Sequence, residues 1–236
     1  MSYNVSAESS SSRGLRQLIK NLLRSVIPGR FLTERAVMRR LEPNAARIYL
    51  RLRLLDFCGI RRENGRTMPS AARSILFVCF GNIMRSPAAE FMLKRALLES
   101  GVQDIVVRSA GIHAVNGREA DPRTLAAARE LGLHLDYHRA SQLTPQMMAQ
   151  ADAVFAMDFQ NKAELSARFP EAAAKVFMFS AYADAKQRGR EIPDPFYADQ
   201  AEARRCYAVL QTCARNLARS LASSGTRVES KKSVEA

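Results

Sequence analysis

Cys79 and Arg85, with five residues between them, bracket the run Cys-Phe-Gly-Asn-Ile-Met-Arg-Ser-Pro, and this spacing points to chemistry on a tetrahedral oxyanion. Gly81 and Asn82 can adopt the tight backbone angles that a curled loop needs, so several N–H groups can converge on one point. Ser86 and Pro87 open a helix, and Pro suits a first helical position. The N-terminus of that helix adds positive potential. Arg85 adds a planar fork matched to two oxygens of a phosphate dianion. A free thiol ionises near pH ~8.5, but helix N-termini and neighbouring cations lower that value to roughly 3.5–7.5. The expected arrangement is therefore a cysteine thiolate facing the phosphorus of a phosphate ester. Its flanks, Phe80, Ile83, Met84 and Ser86, are candidate substrate contacts with Gly81 and Asn82.

In-line attack by a thiolate needs an acid on the far side to protonate the leaving oxygen. Asp194 is the candidate, in Ile-Pro-Asp-Pro-Phe-Tyr-Ala-Asp. Pro193 and Pro195 stiffen that loop, and Phe196 and Tyr197 are placed to wall a pocket for a flat substrate.

The elements that must position these groups read as an α/β fold. Short apolar runs rich in β-branched and aromatic residues are expected as strands at Ile75 to Phe80, Ile105 to Arg108, Ala153 to Met157 and Val176 to Phe179. Helical spacing covers Pro87 to Ser100, Pro122 to Leu131, Gln160 to Phe169 and Gln200 to Leu221. Strands alternating with helices imply a parallel sheet with crossover helices, here over 74–222. Before it, 14–60 reads as a basic helical extension, with apolar spacing from Leu15 to Ile27, around Phe31 to Leu41, and from Asn44 to Phe57. Residues 61–73, with Asn64-Gly65 and Met68-Pro69, have linker composition. The Ser-rich residues 1–13 and the tail 223–236 are expected to be disordered.

The chain has 236 residues and a formal net charge of +13, of which +9 lies in residues 1–72. The charge thus belongs to the extension rather than the chemistry, and no nucleic-acid-binding motif accompanies it. The four cysteines form no CxxC pair and no disulfide framework, which fits a reducing, cytoplasmic setting. The polar start is unlike a secretory signal, and no stretch has the length of a membrane span. His113, His134 and His138 lack metal-ligand spacing, so the expected chemistry requires neither metal nor cofactor. His138 is expected as a structural hydrogen-bonding group, Asp121 and Asp158 as caps or turn residues, and Cys58, Cys206 and Cys213 as small buried apolar groups.

The loop Cys79 to Pro87, together with Asp194-Pro195-Phe196, resembles the low-molecular-weight protein tyrosine phosphatase family over about Ser74 to Leu221. Further landmarks fall in the same order: Ser109-Ala-Gly111, Ala120-Asp-Pro-Arg123, His138-Arg139-Ala140 with Gln142, and Ala156-Met-Asp158. The resemblance implies a four-stranded parallel sheet flanked by helices. It also implies a phosphocysteine on Cys79, Arg85 as the phosphate clamp, and Asp194 as acid and then base. Ser86 would stabilise the thiolate, while Asn82 and Ser109 would hold the loop by hydrogen bonds behind it. The implied partners are phosphotyrosine proteins, among them bacterial tyrosine kinases of exopolysaccharide export.

Three positions depart from the family pattern or choose within it. Met84 stands where many members have a second cysteine, so a protective disulfide beside Cys79 is not available. Ile83 matches tyrosine-type members rather than the arginine-phosphatase-like branch, which has Thr. Val115, often aromatic in the family, widens the pocket wall. Two other readings carry distinct expectations. Cys206 and Cys213, seven apart, would serve a thioredoxin-coupled arsenate reductase, although in that family the pair precedes the acidic loop. A phosphoprotein-binding module, with its main business in the N-terminal helices, would bind phosphotyrosine peptides and release no phosphate. The helix from Leu15 to Ile27 would pack on the chain, meet a partner or a second copy, or touch an anionic membrane.

Overall fold

The computed structural model describes residues 36–232, so the expectations for 1–13, for Leu15 to Ile27, for the first five residues of the pattern from Phe31 to Leu41 and for the last four residues lie outside the described residues. Two units divide the chain, Met1–Glu42 and Pro43–Ala236. In the first, residues 36–40 form a short helix.

The second unit is built on four parallel strands, β1 (Ser74–Cys79), β2 (Val106–Gly111), β3 (Ala153–Ala156) and β4 (Val176–Met178), in the order β2-β1-β3-β4. From Ile75 to Cys79 every residue of β1 is buried, as a strand covered on both faces requires. Phe77, Phe155 and Phe179 meet at ring centroid distances of 4.7–5.5 Å, so the sheet interior is largely aromatic. Helix α2 (Arg85–Glu99) buries Ala88, Ala89, Met92, Leu93, Ala96 and Leu97 against β2 and the last helix. The short helices α3 (Pro122–Glu130) and α4 (Pro145–Gln150) follow β2, and α5 (Phe159–Arg168) follows β3. Because β2 and β3 lie on opposite sides of β1, the chain reverses direction across the sheet at the end of β1. Crevices outside the carboxyl ends of strands form at such points.

β2 runs on to Gly111 rather than ending at Arg108, α2 begins at Arg85 rather than Pro87, and α4 is a helix the spacing does not mark; two further differences alter the domain plan. The last helix, α6, runs Gln200–Lys232, so the tail expected to be disordered from residue 223 is helical up to Lys232. A lone glycine in a helix costs only about 1 kcal/mol, and the Arg, Glu and Lys around Gly225 are good helix formers. The separation expected at 61–73 is also absent. Helix α1 (Pro43–Phe57) buries Ala45, Tyr49 and Leu52 and packs on α5 within the same unit as the sheet. Residues 61–73 form a packed strap between them. Asn64 is buried and accepts from Lys162 Nζ at 2.9 Å, the Met68 N–H donates to Tyr182 Oη at 3.2 Å, and the Arg66 guanidinium lies 4.5 Å from the Phe177 ring centre. Turn dipeptides mark where a chain bends, and they say nothing about what lies under the bend.

Candidate active site

β1 ends at Cys79 and α2 begins at Arg85, so the expected phosphate loop runs from the last residue of β1 through five intervening residues into the first turn of α2. Asn82 turns the chain with φ of 52°, in the left-handed region that Asn tolerates. Its side chain then fixes the loop in three directions. Nδ2 donates to Ser86 Oγ and to Ser109 Oγ, both at 2.9 Å, and Oδ1 accepts from the Ser141 N–H at 2.8 Å. The Asn82 carbonyl meets His138 Nε2 at 2.7 Å; a carbonyl only accepts, so this nitrogen carries the proton. Behind the loop, a Cβ on Gly111 would come within 2.8 Å of the Gly81 and Asn82 backbone. Only glycine permits that approach.

Cys79 is buried, with Sγ 3.0 Å from Ser86 Oγ and accepting from the Asn82 N–H at 3.3 Å. The backbone N–H groups of Gly81, Ile83 and Met84 donate to no acceptor among the described residues. At the N-cap of α2, Met84 supplies no side-chain bond. The cradle for an anion is thus composed of backbone donors and a helix terminus.

Arg85 is the largest fully buried side chain. Nη1 donates to Asp158 Oδ2 at 2.6 Å and to the Ile192 carbonyl at 2.9 Å, while Nη2 donates to Asp194 Oδ2 at 2.6 Å. Burial works against its charge, but Asp158, Asp194 and Cys79 outweigh it, and the guanidinium is held more firmly protonated than usual. The structure therefore brings Cys79, Arg85 and Asp194 to one point, although they lie on β1, α2 and the loop before a 3-10 turn at Pro195–Tyr197.

Of the expected wall residues, Ile83 and Met84 are buried with Ala140, and Phe196 packs against them half-buried. Phe80 is half exposed and its ring lies 4.7 Å from that of His113, whose N–H donates back to the Phe80 carbonyl at 2.8 Å. Val115 is exposed on the turn after β2. The side chain of Tyr197 lies outside the described residues. Cys206 and Cys213 are buried, and burial pushes both thiols up to about 12, whereas Cys58, expected in the interior, is exposed at the end of α1. A lone cysteine in an amphipathic stretch carries no mark of which face it occupies.

Two groups read from sequence only as caps do more. Asp158 does cap α5, accepting from the Asn161 N–H at 2.7 Å through Oδ1, but its other oxygen holds Arg85. Asp121 caps α3 and pairs with Arg123, while its own N–H donates to the Ile83 carbonyl at 3.0 Å. Arg123 continues outward. Its guanidinium sits 5.6 Å from the Phe196 ring centre and donates to the Ala198 carbonyl at 3.2 Å, which ties the loop of Asp194 to the loop of Cys79. The available signal was position: Asp158 lies two residues after a strand that pairs with β1. Among the described residues, no three His, Cys, Asp or Glu side chains gather in a way that would hold a metal ion.

Comparison with known proteins agrees with this geometry. Residues 74–227 match the family model described as low molecular weight phosphotyrosine protein phosphatase. The chain is 34% identical over 148 residues to the low molecular weight protein-tyrosine-phosphatase Etp of Escherichia coli K12, covering 63% of this chain and 94% of that one. Among solved structures, the tyrosine phosphatase Wzb from Escherichia coli K30 matches with a TM-score of 0.57 at 31% identity, over 64% of this chain and 99% of that one. The arginine phosphatase YwlE from Geobacillus stearothermophilus matches with a TM-score of 0.59 at 32% identity, over 66% and 96%.

Proposed function

The chain belongs to the low molecular weight phosphotyrosine protein phosphatase family, and from that premise we propose that it hydrolyses phosphotyrosine in proteins through a phosphocysteine on Cys79. The observation that carries this reading is the open N-terminus of α2. Free N–H groups of the loop, an uncapped helix and the buried Arg85 surround one thiol.

In the proposed sequence, Cys79 attacks phosphorus in line and the bond to the tyrosine oxygen breaks. When Cys79 is a thiolate, the Ser86 O–H turns from the Ala110 carbonyl at 3.3 Å to Sγ at 3.0 Å, stabilising the nucleophile. The loop N–H groups and Arg85 take the charge that accumulates on the equatorial oxygens. Asp194, held beside Arg85, protonates the leaving phenolate. An incoming dianion competes with Asp194 for Nη2, which frees that carboxyl to face the leaving oxygen. Water then attacks the phosphocysteine, Asp194 takes its proton, and inorganic phosphate and the Cys79 thiolate are released. Asp158 keeps the guanidinium oriented throughout.

Similarity to a tyrosine phosphatase and to an arginine phosphatase is about equal, so the wall of the pocket supports the choice of substrate. Ile83 packs with Met84, Ala140 and Phe196 into an apolar surface suited to a flat ring. As the resemblance implies, a bacterial tyrosine kinase of exopolysaccharide export is the proposed partner. The test is phosphate release from matched phosphotyrosine and phosphoarginine peptides, with acid-quenched samples examined for phosphate on Cys79. We expect turnover of phosphotyrosine, at least about tenfold preference in kcat/KM, and a trapped phosphocysteine. Release without label on Cys79, or preference for phosphoarginine, contradicts the proposal.

A further inference from the structure

Helix α1 buries one side and leaves an apolar ridge on another. Leu50, Leu54 and Phe57 recur at helical spacing, and Ile60 extends the line past the helix end; they are 59%, 61%, 89% and 54% exposed. Isolated exposed apolar residues are ordinary, but a row of four on one element is not. Arg47 rises exposed from the same turns, as does Arg51, whose Nη2 pairs with Glu63 Oε1 at 2.5 Å.

Beside the end of the ridge lies an open hollow of about 340 Å³ lined by Gly59, Arg61, Arg62, Gly65, Ala185 and Arg188. Three guanidinium groups line it and no carboxylate does. Arg61 is partly engaged, with Nε donating to Asp56 Oδ1 at 2.9 Å, whereas the Arg188 guanidinium reaches, among the described residues, only the Gly65 carbonyl at 3.4 Å. Arg62 is exposed and meets no acidic side chain among the described residues. At Gly59, where φ is +73°, the space that a Cβ would point into is empty, so a ligand can approach the backbone there.

We propose that this face docks on an anionic phospholipid membrane, with the Leu50, Leu54, Phe57 and Ile60 ridge entering the acyl boundary and the arginine hollow receiving a phosphate headgroup. A phosphate next to an apolar phase is what this surface complements, and a phospholipid supplies both in one molecule. The ridge is a convex helix face flanked by arginines, the arrangement of a helix lying in a membrane interface. An acidic protein without an apolar face of its own would satisfy the arginines and leave the ridge in water. Neither half of the surface shares a residue with the candidate active site, so membrane docking and hydrolysis can be measured separately.

The experiment is co-sedimentation of the full chain with vesicles of phosphatidylcholine alone or with about one-third phosphatidylglycerol. Binding only to the anionic vesicles is expected. Leu54→Ser with Phe57→Ser, and separately Arg62→Ser with Arg188→Ser, should each lower partitioning at least about tenfold, with hydrolysis of a soluble aryl phosphate unchanged. Cys58 offers a second readout, being the one exposed cysteine of the four. In the Cys79→Ser chain, a polarity-sensitive dye on Cys58 should report transfer to an apolar medium when anionic vesicles are added. Failure of the wild type to bind overturns the proposal, as does binding that both double variants retain. A wild-type dimer abolished by Phe57→Ser, without vesicle binding, would assign the ridge to a second copy instead.

Discussion

The junctions β1–α2 and β3–α5 stand side by side at the same edge of the sheet and end in opposite ways. After β3 the chain passes through Met157 and Asp158 directly into α5. There Asp158 accepts from the Asn161 N–H, and Glu191 accepts from the Phe159 N–H at 2.9 Å. After β1 five residues intervene, and α2 begins with neither kind of bond. The first turn of a helix must place its N–H groups somewhere. At β3–α5 the protein supplies the acceptors itself, and at β1–α2 it leaves them open, the role that the proposed function gives to the phosphate of a substrate. Asp158 belongs to both junctions, since one oxygen closes α5 and the other fixes the clamp of the open site.

The comparison breaks most sharply at the thiol. Cys79→Ser should lower phosphatase turnover by at least about 10⁴-fold, while Cys206→Ser, in the buried face of α6, should change it less than about twofold and lower the melting temperature instead. Steady-state assays and thermal melts of the two variants check this. Asp194→Asn removes the proposed proton donor. It should reduce kcat by about 10²–10³-fold for alkyl or phenyl phosphates and clearly less for nitrophenyl phosphate, whose leaving oxygen needs little protonation. A leaving-group series measures the difference, and a uniform loss would remove Asp194 from that role.

The double role of Asp158 can be divided. Asp158→Asn keeps a cap on α5 but removes the charge beside Arg85, and should lower kcat/KM by roughly tenfold or more. Asp158→Ala should lose the same activity and about 1 kcal/mol further in stability, read from denaturant midpoints.

The smallest effect concerns a cation in the first turn of α5, a poor place for one. Burial draws the Lys162 ammonium from an ordinary 10.5 down to about 8. Between these values the unfolded chain binds more protons than the folded one, so this group's contribution to stability rises with pH. Wild type should gain on Lys162→Met from pH 8 toward 10.5. Urea midpoints of both chains across that range would show it, and a constant difference would contradict it.

Much of this architecture was legible because its signals are local. The strand ending at Cys79 is an apolar run, and a helix must follow Pro87, so the loop between them was confined to a few residues. Asp194 announced itself through the prolines around it. The Arg85–Asp158 bond was not legible, because it joins residues 73 apart and depends on the register of β1 with β3. For the same reason the Asp121–Arg123 link between the two loops could be seen in sequence only as a cap. The packing of 61–73 was hidden as well, since Asn64 and Met68 are ordinary turn residues whose burial comes from α5 and Tyr182.

Gly111 sets the terms on which such a protein could acquire a new preference. With the loop backbone in contact at Gly111 and Asn82 bonded on three sides, the cradle is cast against β2 and has almost no freedom to remodel. The rim is different: Phe80 and Val115 are exposed, and Phe196 is only partly covered. On the proposed function, discrimination among phosphorylated side chains is therefore adjustable at the rim one residue at a time, while the recognition of phosphate itself is inherited whole.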